Sequence, residues 1–378
     1  VILDVRKISE DATTITLGWT PVPGAVGYRL TREKANGRYS HTWDPQRAQA
    51  RFAKDSDWYR VEALGSLASG DYPPPTPASG FLRGHSSHGK SEADLRHLIQ
   101  TARLNCYRDD ALFEDIYGGK GWGSLDARFA NCSRAGVRTV LVIADYGDRA
   151  PATYAARCAD LVQRYGPGGE FWAANPSLTP VALMIEVWNE PYMGGTYVDP
   201  AELAAMCGAA VKAVHDFGKG VLIGPNLDFI DYKTTKKDYA ERFVAAYGSA
   251  PRPDFVSSHP YTDPASIGLR TDLAAGGQEY RFDRILKLRD LLTSKGWAGM
   301  PMLASEYGWS SADVGEAKQA EFAGGSLPLL KQWGVIGGFY YTGDRANTNT
   351  ADRYSQYGIL RAYGTDKPAV AALGAAQT

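Results

Sequence analysis

The stretch Val181-Ala182-Leu183-Met184-Ile185-Glu186-Val187-Trp188-Asn189-Glu190-Pro191 decides how the chain is read. An apolar run carries the backbone up to Asn189 and Glu190. Pro191 then stops further pairing, because it has no N–H to give to a ladder. A second run of the same design is Pro301-Met302-Leu303-Ala304-Ser305-Glu306-Tyr307-Gly308-Trp309. Each reads as a strand that ends in a carboxylate.

Working outward from these two runs, short apolar stretches recur near 81–85, 104–108, 138–145, 181–188, 220–224, 254–259, 300–306 and 335–341. Between them lie amphipathic helical patterns, among them Ala93 to Arg103, Ala201 to Phe217, Phe282 to Lys295 and Gln319 to Trp333. Eight strand–helix units of this spacing predict an α/β fold, a (β/α)8 barrel over 80–378. Periodicity does not show closure, so an open doubly wound sheet stays possible at this point. In a barrel the strand ends form the active face, and both glutamates would converge on one cavity.

The residues ahead of the barrel read differently. Thr13-Thr14-Ile15-Thr16-Leu17-Gly18-Trp19 and Gly27-Tyr28-Arg29-Leu30 alternate like strands and flank the turn Pro21-Val22-Pro23-Gly24. They predict a small all-β sandwich over 1–70. The prolines of Tyr72-Pro73-Pro74-Pro75-Thr76-Pro77 exclude helix and central strand, and make 71–79 a linker.

Composition bounds the partners. Across 378 residues, 41 Lys and Arg face 42 Asp and Glu, a formal net charge of -1. That balance argues against a nucleic-acid or anionic-membrane partner. No apolar run approaches the roughly 20 residues a membrane span needs. The 4 cysteines (Cys106, Cys132, Cys158, Cys207) show no metal-ligand spacing, and permit one disulfide, two or none.

Trp188-Asn189-Glu190-Pro191, then His259-Pro260-Tyr261, then Ser305-Glu306-Tyr307-Gly308 resemble the clan A retaining glycoside hydrolases, nearest the family 39 and family 5 type. The similarity runs over 80–378, and includes Tyr357-Gly358-Ile359-Leu360 and Lys367-Pro368-Ala369. The early strands, with Trp19, the Pro-Gly turn and Tyr28, resemble a fibronectin type III module. The resemblance implies cleavage of O-glycosidic bonds in a poly- or oligosaccharide by double displacement, with Glu190 as acid/base and Glu306 as nucleophile. Such pairs stand roughly 5–5.5 Å apart. It implies that Asn189 binds the sugar 2-hydroxyl, that Arg108 holds the nucleophile ionised, and that Tyr261 of the His259–Tyr261 pair lies near the nucleophile. It also implies secretion, although no signal peptide is visible in this chain.

Relatives often carry a tryptophan at the end of strand 8. Here the run is Gly337-Gly338-Phe339-Tyr340-Tyr341, and Tyr340 is expected as a smaller floor. His85 and Asp145, at the ends of strands 1 and 3, are expected to face the site. Trp122 and Trp309, in top-face loops, are candidates for stacking on sugar. The long segments Ala111 to Ser124 and Thr342 to Tyr357 could wall a cleft, which favours endo action. A monomer with no metal and no cofactor is expected.

Two other readings compete. Gly84-His85-Ser86-Ser87-His88-Gly89-Lys90-Ser91 fits the phosphate-loop pattern of a nucleotide hydrolase, with Val140 to Asp145 as its magnesium-binding strand. A catalytically silent carbohydrate-binding barrel is the second. The 6 histidines include no His-x-His pair for a metal-dependent hydrolase, and no GxSxG elbow occurs.

Overall fold

The computed structural model describes residues 80–145, 147–262, 282–361 and 365–378, together with the strand backbones between Val5 and Leu64. The chain divides into two compact units, Val1–Pro74 and Pro75–Thr378.

In the first unit, β1 (Val5–Glu10), β2 (Thr14–Trp19) and β5 (Gln49–Ala53) form one antiparallel sheet in the order β1-β2-β5. A second antiparallel sheet has the order β4-β3-β6, from β3 (Gly27–Lys34), β4 (Gly37–Trp43) and β6 (Trp58–Leu64). The turn at 21–24, the linker at 71–79 and the side chains of Trp19 and Tyr28 lie outside the described residues.

The second unit is built on eight parallel strands: β7 (Leu82–Ser86), β8 (Cys106–Leu112), β9 (Thr139–Asp145), β10 (Ala182–Val187), β11 (Leu222–Pro225), β12 (Val256–Ser258), β13 (Met302–Tyr307) and β14 (Gly337–Tyr341). Their order is β11-β10-β9-β8-β7-β14-β13-β12. The two end strands meet through a parallel bridge between Asn226 and Ser257. Two backbone hydrogen bonds flank that bridge, from Leu227 N–H to the Ser257 carbonyl and from Asp254 N–H to the Ile223 carbonyl, both 2.9 Å. The sheet therefore closes, and an open doubly wound sheet is excluded.

Helices Glu92–Ala102, Gly123–Ala135, Pro151–Tyr165, Pro200–Asp216, Tyr239–Tyr247, Arg284–Ser294, Ser311–Gln332 and Pro368–Ala375 follow successive strands. Their starts carry ordinary capping chemistry. Ser91 accepts from Asp94 N–H, and Asp199 accepts from Ala201 N–H ahead of Pro200.

Strand residues alternate between two apolar layers. Leu82, Cys106, Leu141, Met184, Phe255, Leu303 and Phe339 form a cluster contributed by the barrel wall alone. This is the barrel interior, packed tightly enough that a Cβ on Gly84 would lie 2.2 Å from the Phe339 ring. The other strand residues join the helices in a larger outer core. Counting by twos from the interior layer leads up the wall to Ser86, Arg108, Glu186, Ser257, His259 and Tyr341. The four cysteines are buried and unpaired. Among the described residues, no helix is long and apolar enough to cross a membrane.

Candidate active site

Arg108 is the hub of the site. It is 2% exposed and spends its planar fork on five side chains. Nε and Nη2 both reach Glu186 Oε2, at 2.8 and 2.7 Å. Nη1 donates to Glu306 Oε2 at 2.7 Å and to Ser86 Oγ at 3.1 Å. Nη2 also donates to Asn189 Oδ1 at 2.9 Å and faces His259 Nε2 at 3.2 Å. A lysine could not hold this many partners in fixed directions.

That last contact sets the histidine's tautomer. Arginine nitrogens only donate, so Nε2 of His259 is placed to accept, which assigns Nδ1 the donor role toward Glu190. Nδ1–H then donates to Glu190 Oε1 at 2.9 Å. The same Nδ1 is 4.0 Å from Glu306 Oε2. The two carboxylate oxygens therefore lie no further apart than these two distances together, about 6.9 Å. Both glutamates reach solvent, with side chains 27% and 15% exposed, whereas His259 and Glu186 are sealed off.

Each glutamate is aimed by a local departure from regular strand. Ala304 pairs with Gly338 and Tyr307 with Tyr340, so β13 carries one residue more than β14 over that span. From Leu303, strict alternation would turn Glu306 outward to the helices. The bulge reverses this: Tyr307 joins the outer core and Glu306 faces the cavity. After β10, Trp188 and Glu190 take left-handed backbone angles, φ 63° and 45°, which cost energy in non-glycine residues. The surroundings hold them there. Glu190 N–H donates to Asn226 Oδ1 at 3.1 Å, its carbonyl accepts from Thr196 Oγ1 at 2.7 Å, and the Trp188 indole donates to the Thr196 carbonyl at 2.9 Å.

The second oxygen of Glu306, Oε1, accepts from the Tyr261 hydroxyl at 2.5 Å. Burial and the negative charge of Glu306 raise the Tyr261 pKa well above the ordinary range, so this hydroxyl stays a donor. Tyr261, Tyr341 and Tyr357 pack edge to face, with ring centroids 5.6 to 6.2 Å apart. For Glu190, burial pushes the carboxyl pKa up, but the hydrogen bond from His259 and the field of Arg108 outweigh it and the net direction is down. Behind His259, Arg284 donates to its backbone carbonyl and pairs with buried Asp228 at 3.2 Å.

The structure thus brings together Glu190, Glu306, Asn189, Arg108, His259 and Tyr261. Four other expected residues sit elsewhere. His85 follows inward-facing Gly84 and so points out of the barrel; it bonds Ser87 Oγ at 3.0 Å and stands beside the Tyr107 ring. Burial, with Lys90 nearby, lowers its pKa to about 3 and keeps it neutral. Tyr340 also points outward, into Tyr307 and Trp309, and Tyr341 takes the cavity position. Trp309 is 4% exposed, with its indole bonded to Thr262 Oγ1 at 2.9 Å. Trp122 packs edge-on against Tyr117 and Tyr165. The Asp145 side chain lies outside the described residues.

Sequence reading passed over Ser86, Glu186, Asn226, Ser257, Tyr341 and Tyr357. For Ser86, Glu186 and Tyr341 the missing signal was the period of two counted from the strand's apolar interior residue.

The phosphate-loop reading fails on placement. Gly84 to Ser86 form the body of β7, Ser91 caps the following helix, and Lys90 Nζ pairs with Asp344 at 2.6 Å. Only Ser87 to Lys90 lie between strand and helix cap, too few for a Gly84-to-Ser91 phosphate loop. His88, Asp109 and Asp110 bring three ligand atoms within 4.8 Å of one another. They bond one another and their neighbours, however: His88 to Asp110 at 2.9 Å, and Asp109 to Arg128 at 2.7 Å and Tyr107 at 2.6 Å.

No protein-family profile and no curated protein matches the chain. Solved structures do. A family 39 glycoside hydrolase from the gut symbiont Bacteroides cellulosilyticus WH2 superposes with a TM-score of 0.54 at 15% identity, over 99% of this chain and 80% of that one. A glucosidase from Croceicoccus marinus gives 0.57 at 15% identity, over 78% of this chain and 66% of that one. A GH5-4 broad-specificity endoglucanase from Clostridium acetobutylicum gives 0.53 at 12% identity, over 78% of this chain and 97% of that one. At these identities the likeness establishes the architecture: an eight-stranded parallel barrel ringed by helices.

Proposed function

We propose that the chain is a retaining glycoside hydrolase, with Glu306 as nucleophile and Glu190 as acid/base. One observation carries this reading. Two partly open carboxylates share a cavity within about 6.9 Å, and their partners differ in kind. Glu306 is gripped by a guanidinium and a hydroxyl, one donor on each oxygen. Among the described residues, the one donor on the Glu190 carboxylate is the histidine N–H, and its second oxygen is proposed to carry and deliver a proton. The upper bound of about 6.9 Å accommodates the roughly 5–5.5 Å spacing of a retaining pair. Membership of the barrel architecture shared with known glycoside hydrolases supports the same reading.

In the first step Glu306 bonds to the anomeric carbon while the bond to the leaving oxygen breaks, and that oxygen takes the proton of Glu190. In the second, Glu190 takes a proton from water, which attacks the same carbon and frees Glu306. Asn189, fixed by Arg108, is the group expected to meet the sugar 2-hydroxyl. Tyr341 is proposed as the aromatic floor in place of the strand-8 tryptophan.

We further propose a poly- or oligosaccharide substrate cut internally, secretion, and a fibronectin type III-like brace at the N-terminus. The test is turnover of aryl glycosides and defined polysaccharides. Glu306→Ala should lower kcat by several orders of magnitude, and azide should rescue it with inverted product. Near-wild-type turnover in Glu306→Ala or Glu190→Gln would refute the assignment.

A further inference from the structure

The site contains a third carboxylate to which the two-step reaction gives no task. Glu186, four residues before Glu190 and facing inward from β10, has no exposed surface. Its Oε2 takes both Nε and Nη2 of Arg108. Its Oε1 accepts from the Ser257 hydroxyl, and Asn226 Nδ2 lies 3.4 Å away. Asn226 in turn receives the Glu190 backbone N–H. Glu186 is therefore tied to both glutamates, to Glu306 through Arg108 and to Glu190 through Asn226.

We infer that Glu186 is a positioning residue, the permanent counter-ion of Arg108, which keeps that guanidinium paired when Glu306 loses its charge. The inference rests on the reading of Glu306 as nucleophile. Before attack, one buried cation faces two carboxylates. Attack forms the bond from Glu306 to the anomeric carbon, the leaving oxygen departs with the Glu190 proton, and Glu306 becomes a neutral ester. Arg108, which is 2% exposed, would then be a cation without its contact anion. Such a group is strongly disfavoured in a protein interior. Glu186 removes that difficulty, because the Arg108–Glu186 pair is neutral throughout.

It also divides the guanidinium. Nε and one face of Nη2 are committed to Glu186, so the Nη1 bond to Glu306 is a directed hydrogen bond from an already neutralised pair. The charged and titratable neighbours of Glu306 are Arg108 from β8, Glu190 after β10, His259 and Tyr261 after β12, and Tyr341 with Tyr357 on the β14 side. Around Glu186 the charged and titratable groups are Arg108 and His259, and burial, which pushes its carboxyl pKa up, is outweighed by their effect.

The experiment has two arms. Carboxyl 13C titration of the free protein, with Glu186 assigned by its loss in Glu186→Gln, should find it ionised down to below the ordinary glutamate range. Protonation of Glu186 in or above that range overturns the inference. Kinetics then compare Glu186→Gln with Glu186→Asp. The glutamine variant should lose at least about tenfold in kcat with little change in KM, the size of a one-unit electrostatic effect, and the acid limb of its pH profile should move to lower pH. Aspartate should recover most of the loss. Equal kcat in wild type and Glu186→Gln, or no recovery by aspartate, overturns it. Should Glu186→Gln fail to fold, a folded Glu186→Asp supports the need for charge, and an unfolded one refutes it. Absence of any glycoside turnover by the wild type would refute the proposed function instead, and the titration arm still decides the charge state of Glu186.

Discussion

Tyr261→Phe removes one hydroxyl and leaves the ring, so it isolates a single bond to the proposed nucleophile. That bond is 2.5 Å long and ends on Glu306 Oε1, which makes it a short, charge-assisted contact. Losing a hydrogen bond to a charged partner costs about 1.5–3 kcal/mol. At about 1.36 kcal/mol per factor of ten, the full value corresponds to a rate change between about tenfold and about 150-fold.

The direction depends on which step is followed. During attack Glu306 gives up charge, so the tyrosine donor weakens and its removal does little harm. During breakdown of the ester, Glu306 leaves as a carboxylate, and the donor strengthens as charge returns. Tyr261→Phe should therefore slow the second step. With an activated aryl glycoside, kcat should fall within that range, KM should fall with it, and a burst of aryl alcohol should appear as the covalent intermediate accumulates. Stopped-flow release of the aryl group is the assay. A variant whose kcat/KM falls with kcat unchanged and no burst would refute the reasoning.

Other outcomes follow from the same geometry. His259→Phe removes the hydrogen bond that, against the upward push of burial, holds the Glu190 pKa down. The acid form of Glu190 is lost as pH rises through that pKa, so the wild type should have an acidic optimum. In the variant the alkaline limb of kcat/KM should move up by about one to two units, and an unmoved limb would refute the link. Gly84→Ala places a Cβ 2.2 Å from the Phe339 ring inside the barrel. Overpacking of this kind costs about 1–3 kcal/mol, and thermal unfolding should show a midpoint lowered by several degrees. An unchanged midpoint would mean the interior is looser than described.

Much of this candidate site is legible in the sequence, and the residues the barrel gathers and those it turns outward follow one rule. Glu190, Arg108, His259 and Tyr261 stand at strand ends within recognisable local runs, and the barrel gathers them without further information. His85 and Tyr340 also stand at strand ends, and by that criterion alone they are expected in the cavity. Each is one residue off the inward register set by Leu82 and Phe339, and a shift of one residue reverses the face. Glu306 is the reverse case. Counting from Leu303 alone would have turned it outward, and only the bulge before Tyr307 brings it in. Local spacing cannot show a bulge, because the extra residue is defined by its partner strand. Glu186 lies in the very run that decides the fold, yet its role depends on Arg108, 78 residues earlier. Trp309 suits sugar stacking by its chemistry, yet it is buried in the outer core, and Trp122 packs partly against that core.

The closure between β11 and β12 has a mechanical consequence. Elsewhere the barrel wall is laced by ladders of three to seven paired residues, but here one bridge and two flanking bonds join the ends. The bridge residues, Asn226 and Ser257, are the same ones whose side chains grip Glu186, and Asn226 also anchors the backbone of Glu190. The most compliant line in the wall thus runs beside the residues that anchor Glu190. Any breathing of the barrel along that line would be passed to Glu190 through the bond from its backbone N–H to Asn226.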